Sequence, residues 1–500
     1  MFRVLITGAI IIIFFLLHSM NENGGLLKAE YITLFFFISL LVNIFLFFPA
    51  NIFFRNQFKA SVFAFLITTF FLFFGEIQDY LSTLPVLGNY SGMRFFLPFS
   101  MLFIIFLFIL IARSKDSFIR INHFLLTLGI ILSIYELILL VALPEWKKKE
   151  MSRPLKIEHG LQIRDCDTCR KPDIYFFLLD EYTGSEALMK DFHFDNSWFE
   201  EMLNIRDFKV LKEVRSPYIL TIYSMASMLN LEIKTDTARQ KIKNNPDYQA
   251  ALRYIGNNAV CRYLIKNGYD IRNLSPFDLP QSPSSFSSAF NPNGLQLIYY
   301  KTIYGRLMRD LPSFLRRKGI DSWDRQFVER IGANNEAALL QTLAPRTSKK
   351  PVFTYTHLYM PHYPFRFDSL GNTRNAKAGE TEASDCLNYI EYLVYTNKKM
   401  IRLIDQLKQQ TGNNSVIILA SDHGYRLGCG AGPMTSKNSV IMSYFLPAEF
   451  SSPQLGPGIS NTYNFRILLN AIFHTGLPVP QQKVPAMNDR DVKQTIDKDR

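Results

Sequence analysis

The feature that most constrains this chain is a set of long apolar runs confined to its first third. Residues 4–18, 32–49, 61–74, 95–112 and 123–144 carry little charge, with Phe clusters such as Phe35-Phe36-Phe37 and Phe70-Phe71-Leu72-Phe73-Phe74 inside them. Backbone in hydrocarbon has no water to bond to and must close its own hydrogen bonds, so such runs are expected to cross a membrane as helices. A span needs ~20 mostly apolar residues. The first and third runs fall short of that length, which leaves their boundaries open by several residues. The first run follows Arg3, as in a secretory signal, but Met20-Asn21-Glu22-Asn23 supplies no small-x-small cleavage site, and retention is expected.

Loop charges set the orientation. If about five spans alternate, Arg3, Arg55, Lys59, Arg113, Lys115 and Arg120 share one side. The other side carries Glu22, Glu30, Glu76 and Asp79 against Lys28 and Arg94 alone. The positive side faces the cytoplasm, and an odd number of spans then puts everything after Pro144 outside. Lys147-Lys148-Lys149 lies on the opposite side from that rule and, beside Trp146, reads as an interfacial anchor. The formal charge of +12 would suit nucleic acid, but the Lys and Arg residues are dispersed without a basic stripe. They fit topology signals and anionic lipid headgroups instead, and no nucleic-acid partner is expected.

Residues 1–144 thus read as the bundle, 145–171 as a juxtamembrane linker, and 172–500 as one globular domain. Short apolar runs alternate there with longer helical patterns, the mark of an α/β sheet covered by helices. Residues 174–179, 351–358, 415–420 and 439–446 read as strands. Residues 194–203, 246–267, 386–409 and 462–473 read as helices, and the Ser- and Pro-rich stretch 275–293 as a surface loop or lid. Cys166 and Cys169 form Cys-Asp-Thr-Cys; no further ligands at zinc spacing accompany them, and a small disulfide loop or two free thiols remain open.

Three segments place polar groups directly after an apolar strand, where open α/β sheets bind ligands. They are Asp180-Glu181 after 174–179, His357 and His362 at the end of 351–358 and just beyond it, and Ser421-Asp422-His423-Gly424 after 415–420. Carboxylate and imidazole converging from separate strand ends are what a divalent-metal site requires. Taken singly, each has a plainer reading: a carboxylate can N-cap the next helix, Asp-His-Gly is a common turn, and two His in a Pro-bounded loop can be idle.

Together the segments resemble the alkaline phosphatase/sulfatase superfamily, in particular its membrane-bound branch of lipoteichoic acid synthases and phosphoethanolamine or phosphoglycerol transferases. That resemblance covers residues 172–475. It implies five transmembrane helices followed by an extracytoplasmic catalytic domain with a central mixed sheet. It matches Asp180, or Glu181 one position on, to the acidic metal ligand, and Asp422 and His423 to two further ligands. His357 and His362-Tyr363-Pro364 correspond to a segment near the substrate phosphate. Leu220-Thr221-Ile222-Tyr223-Ser224 fits the nucleophile pattern, with Thr221 as nucleophile and metal contact; Thr221 also suits a helix N-cap, and the two roles are compatible. Asn461–Asn470 is like the family's last helix.

The chain also departs from that pattern. None of the five Cys lies in the Cys/Ser-x-Pro-x-Arg context of formylglycine sulfatases, which disfavours an arylsulfatase. The phosphoethanolamine branch has Glu at the Asp180 position and a His about a dozen residues past Asp-His-Gly. The stretch 425–436 has no His and holds Arg426, a candidate phosphate partner or a surface salt-bridge residue. The implied function is a transferase of a bacterial-type inner membrane, moving a phospho-head-group from a lipid donor to an envelope glycan or lipid acceptor. It would use one divalent cation, Zn²⁺ or Mn²⁺, with Thr221, His357, His362 and Arg426 as catalytic candidates. A membrane-anchored phosphate or sulfate ester hydrolase and a non-catalytic envelope binding protein are the alternatives.

Overall fold

The computed structural model describes residues 2–142, 168–232, 245–286, 290–309, 322–346, 348–374, 382–426, 436–450 and 456–480, together with 163, 166 and 429. The chain divides into two units: the N-terminal helices with residues 292–309, and the other described residues.

Five helices build the first unit: α1 Phe2–Asn23, α2 Ala29–Phe54, α3 Gln57–Thr83, α4 Met93–Arg113 and α5 Ile119–Ala142, all long and apolar enough to cross a membrane. The two short runs resolve into helices of 22 and 27 residues. Apolar counting stops at the first polar side chain, whereas the helices continue through polar residues that satisfy one another. Glu136 of α5 binds His18 at 2.9 Å and Asn21 at 2.6 Å on α1. Deeper in the bundle, Asn122 donates to Ser61 at 2.7 Å, Ser61 to the Val4 carbonyl at 2.8 Å, and Asn43 to Thr68 at 2.8 Å. Such bonds average ~0.6 kcal/mol each in a bilayer, so close packing carries most of the association. At Gly8, an added Cβ would lie 2.0 Å from the Asn43 side-chain oxygen.

Residues 292–309 also join this unit, a division that a single boundary at residue 172 does not foresee. Their Lys301 pairs with Glu22 and, at 3.1 Å, with Glu76. Arg306 grips Asp79 through two bonds of 2.8 and 2.6 Å, and Gly75 of α3 donates its N–H to the Lys301 carbonyl at 2.7 Å. This stretch is not apolar enough to read as a membrane element, so nothing local marks it.

The second unit is a six-stranded mixed sheet. Its strands are β1 Ile174–Leu179, β2 Lys209–Val210, β3 Asp270–Leu274, β4 Val352–Leu358, β5 Val416–Ala420 and β6 Met442–Phe445, in the order β2-β6-β5-β1-β4-β3. β3, β4, β1 and β5 run parallel, while β6 is antiparallel to β5 and to β2. β1, β4 and β5 are buried along their whole length, which is why each reads as an unbroken apolar run. β3, Asp-Ile-Arg-Asn-Leu, escapes sequence reading because it is an edge strand and half polar.

Helices cover both faces of the sheet. Tyr175, Phe177 and Leu179 pack in one core with Leu188 of α6 (Ser185–Phe192), Phe199 of α7 (Ser197–Asn204) and Tyr392 and Met400 of the long helix Glu382–Thr411. The alternate residue Phe176 meets Phe465 of the last helix, Asn464–Phe473, at 4.9 Å. The single helix expected over 246–267 is two, Asn245–Gly256 and Ala259–Lys266. Asn258 breaks it, capping the second helix by accepting from Cys261 N–H at 2.8 Å.

Cys166 and Cys169 form a disulfide, which removes both as zinc ligands, and a second disulfide joins Cys386 to Cys429. Local spacing cannot announce that second pair, since 43 positions separate its partners. Most of the linker, with Trp146 and Lys147–Lys149, lies outside the described residues.

Candidate metal and phosphoryl site

The parallel register brings three strand ends level: Leu178 lies opposite both His357 of β4 and Ala420 of β5. Asp180 continues the pairing by donating its N–H to the Leu358 carbonyl at 3.0 Å. Asp422 and His423 follow β5. Thr221 opens the helix Thr221–Met228, here α8. The ligand atoms of Asp180, Asp422 and His423 all lie within 4.8 Å of one another, and all three residues are buried.

The hydrogen bonding around these atoms is directional. His423 Nδ1 lies 2.9 Å from the Gly424 carbonyl, which can only accept, so Nδ1 carries the proton. In the neutral ring Nε2 then presents a lone pair. It faces Asp422 Oδ2 at 3.3 Å and Asp180 Oδ1 at 3.8 Å, and these two carboxylate oxygens have no hydrogen-bond partner. Three electron-rich atoms buried together repel unless something positive lies between them, and that donor set fits one divalent cation. The Thr221 hydroxyl adds a fourth atom, 3.5 Å from His423 Nε2. Burial, then repulsion from Asp422, raises the Asp180 carboxyl to about 7. Asp422 goes the other way: burial would raise it, but His423 and Thr221 hold it low.

Supporting contacts hold these groups. His357 Nε2 bonds Asp180 Oδ2 at 3.1 Å and its Nδ1 faces the Tyr355 hydroxyl at 3.1 Å. Burial pushes the imidazole down to about 4, so the ring is neutral. With both nitrogens engaged, His357 is turned toward Asp180, an arrangement common behind metal ligands. Asn461 donates to the carbonyls of Ser421 and Asp422 at 2.9 and 3.2 Å, and Ser224 donates to the Asp422 carbonyl at 2.8 Å. Ser224 thus serves the site by holding the Asp422 backbone. Tyr355 was not legible in the sequence as a site residue, since an aromatic inside an apolar strand is ordinarily core.

Glu181 points elsewhere. Its N–H donates to Asp422 Oδ1 at 3.2 Å. Its own carboxylate accepts from Arg426 N–H at 3.1 Å and lies 3.7 Å from His362 Nε2. Arg426 Nη2 reaches His362 Nε2 at 3.1 Å, and Phe290 packs on the His362 ring at 4.4 Å. Burial would raise the Glu181 carboxyl, but His362 and Arg426 outweigh it and keep it low; burial also lowers His362. Arg426 is therefore part of an internal network rather than a surface ion pair. Of the predicted residues, the fold gathers Asp180, Asp422, His423 and Thr221 at one point, and Glu181, His362 and Arg426 beside them.

The sulfatase family model matches residues 247–444, a span that holds His357, His362, Asp422, His423 and Arg426. No curated protein matches the sequence. Among solved structures, the C-terminal periplasmic domain of Escherichia coli EptC, in complex with Zn, is similar at TM-score 0.39 and 13% identity, covering 64% of this chain and 89% of that one. The integral membrane lipooligosaccharide phosphoethanolamine transferase A of Neisseria meningitidis is similar at TM-score 0.38 and 13% identity, covering 92% and 95%. A Bacteroides thetaiotaomicron protein of glycosaminoglycan metabolism reaches TM-score 0.35 at 14% identity, covering 60% and 72%.

Proposed function

We propose that this membrane-bound sulfatase-family protein is a metal-dependent phosphotransferase. It would move a phosphorylated head group from a lipid donor to an exoplasmic glycan or lipid acceptor, through a phospho-threonine. The observation that carries the reading is the convergence of Asp180 Oδ1, Asp422 Oδ2 and His423 Nε2 beside the hydroxyl of Thr221. A divalent cation held there by Asp180, Asp422 and His423 would supply the charge that lowers a threonine hydroxyl toward its reactive form. Asp180 is the preferred ligand over Glu181, whose carboxylate is engaged by Arg426.

In this reading the Thr221 oxygen attacks phosphorus and the diacylglycerol oxygen leaves, taking up a proton. The acceptor hydroxyl then attacks the phospho-threonine and frees Thr221. As the first residue of α8, Thr221 sits at the positive end of a helix, where a phosphoryl group is favoured. Arg426 and His362 line the wall next to this point and serve the phosphoryl oxygens. His357 is assigned to orienting Asp180 rather than to the leaving group, because both its nitrogens are taken. Two disulfides in the second unit fit an oxidising, extracytoplasmic compartment.

The test is lipid mass spectrometry on cells with and without the protein, alongside metal analysis of the purified chain. Diacylglycerol and a phospho-modified acceptor should accumulate only with active protein, and one divalent ion should copurify per chain. Thr221→Ala should lose turnover while retaining the ion; unchanged turnover would remove Thr221 as nucleophile. Release of a free phosphorylated head group with no modified acceptor would make the protein a hydrolase. A chain without stoichiometric metal would make it a binding protein.

A further inference from the structure

The start of the long helix Glu382–Thr411 touches both segments that form the Arg426 side of the pocket. Cys386 is disulfide-bonded to Cys429, with Cα atoms 5.8 Å apart, and Cys429 lies three positions after Arg426. One turn further, the Tyr389 hydroxyl donates to the Glu181 carbonyl at 2.9 Å and accepts from Thr183 N–H at 3.1 Å. Thr183 Oγ1 in turn accepts from Tyr425 N–H at 2.9 Å, and the rings of Tyr389 and Tyr425 lie 4.5 Å apart. One helix turn therefore contacts residues 181–183 covalently distant from it, packs on Tyr425, and is bonded through sulfur to Cys429.

Both segments need holding. Glu181 has φ of +64°, a left-handed conformation that a residue with a side chain adopts only where its surroundings impose it. Arg426 carries a long flexible side chain, and an arginine meets a phosphate best when its planar fork is already oriented. Its backbone N–H and its Nε both reach Glu181 Oε1, at 3.1 and 3.4 Å, so the position of Glu181 sets that of the guanidinium.

We propose that the Cys386–Cys429 disulfide and Tyr389 are positioning residues: they clamp Glu181 and Arg426 into one preformed wall for an anionic phosphoryl group. The binding consequence rests on the phosphotransferase reading, and the positioning itself does not. A disulfide that merely stabilised the fold would raise overall stability and leave Arg426 and anion affinity unaltered.

The experiment uses the full-length, detergent-solubilised protein and its Cys386→Ser/Cys429→Ser double variant. Tyr389→Phe serves as a second variant that keeps the ring and removes only the hydroxyl. Hydrogen–deuterium exchange followed at the Arg426 amide should accelerate by about tenfold or more in either variant, with strands β1 and β5 unchanged. Titration calorimetry with inorganic phosphate should show about tenfold weaker binding in the variants. In an Arg426→Ala background, removing the disulfide should cost nothing further, because the clamp acts through that residue. Unchanged exchange at Arg426, or a phosphate affinity lost equally with and without Arg426, would overturn the proposal. Absence of phosphate binding by the parent protein would overturn the phosphoryl reading and the binding half of the proposal, with the exchange result still deciding the positioning half.

Discussion

Asp180 and Asp422 set a cost that a proton or a bound cation relieves. In the metal-free protein the Asp180 carboxyl stands at about 7, above its ordinary value of 3.8, through burial first and then Asp422. A folded-state value above the unfolded one means that the folded chain binds the proton more tightly. The stability so gained is complete below about pH 4 and is lost as pH rises through 7. The melting temperature of metal-stripped protein should therefore fall between pH 5 and 8, and Asp180→Asn should flatten that fall while abolishing metal retention. A parallel pH dependence in Asp180→Asn would show that another group titrates. Tyr355→Phe removes the hydroxyl facing His357 Nδ1; because it acts on Asp180 only through His357, metal binding should weaken by less than the ~10–100-fold typical of a ligand's direct partner, measurable by competition with a chelating dye. Asp180, Asp422 and His423 were legible as candidates because each follows an apolar strand, and Thr221 through the resemblance of residues 220–224 to the family's nucleophile pattern. The choice between Asp180 and Glu181 was not, since it depends on which of two adjacent carboxylates Arg426 engages.

Among the elements, α3 and residues 292–309 make the most informative pair. At Gly75 an added Cβ would meet Arg306 Nε at 2.6 Å and the Lys301 carbonyl at 2.8 Å. Helix propensity alone would favour Gly75→Ala by about 1 kcal/mol. Overpacking against a backbone carbonyl costs about 1–3 kcal/mol, so the variant should melt lower in detergent; a higher melting temperature would mean that the contact is dispensable. Arg306→Ala should lower it as well, but modestly, because Asp79 is largely exposed and its ion pair is screened. The five helices themselves were visible from hydropathy, although their ends were not. Asn21, Glu22, Glu76 and Asp79 look like loop residues until their partners on other elements are known. The same reason hid the edge strand β3 and the break at Asn258, both decided by neighbours rather than by local pattern.

For the whole molecule, metal binding and folding of the second unit should be one linked equilibrium, because the proposed ligands come from the ends of β1 and β5, which must be paired to meet. A cation at 100 times its dissociation constant adds about 2.7 kcal/mol. Chelation should therefore lower the melting temperature of the full-length protein by several degrees, restored by Zn²⁺ or Mn²⁺. Equal melting curves with and without chelator would count against a resident metal. By itself the sequence determined what depends on local pattern. Apolar length dictates membrane helices, unbroken apolar runs dictate buried parallel strands, and polar groups directly after them dictate where a site can form. Only the tertiary structure decided what depends on partners distant along the chain. It turned His357 onto Asp180, gave Glu181 to Arg426, joined Cys386 to Cys429, and assigned residues 292–309 to the bundle. Each of these outcomes depends on which side chain, among several of suitable chemistry, the packed chain brings within reach, and local sequence spacing holds no record of that distance.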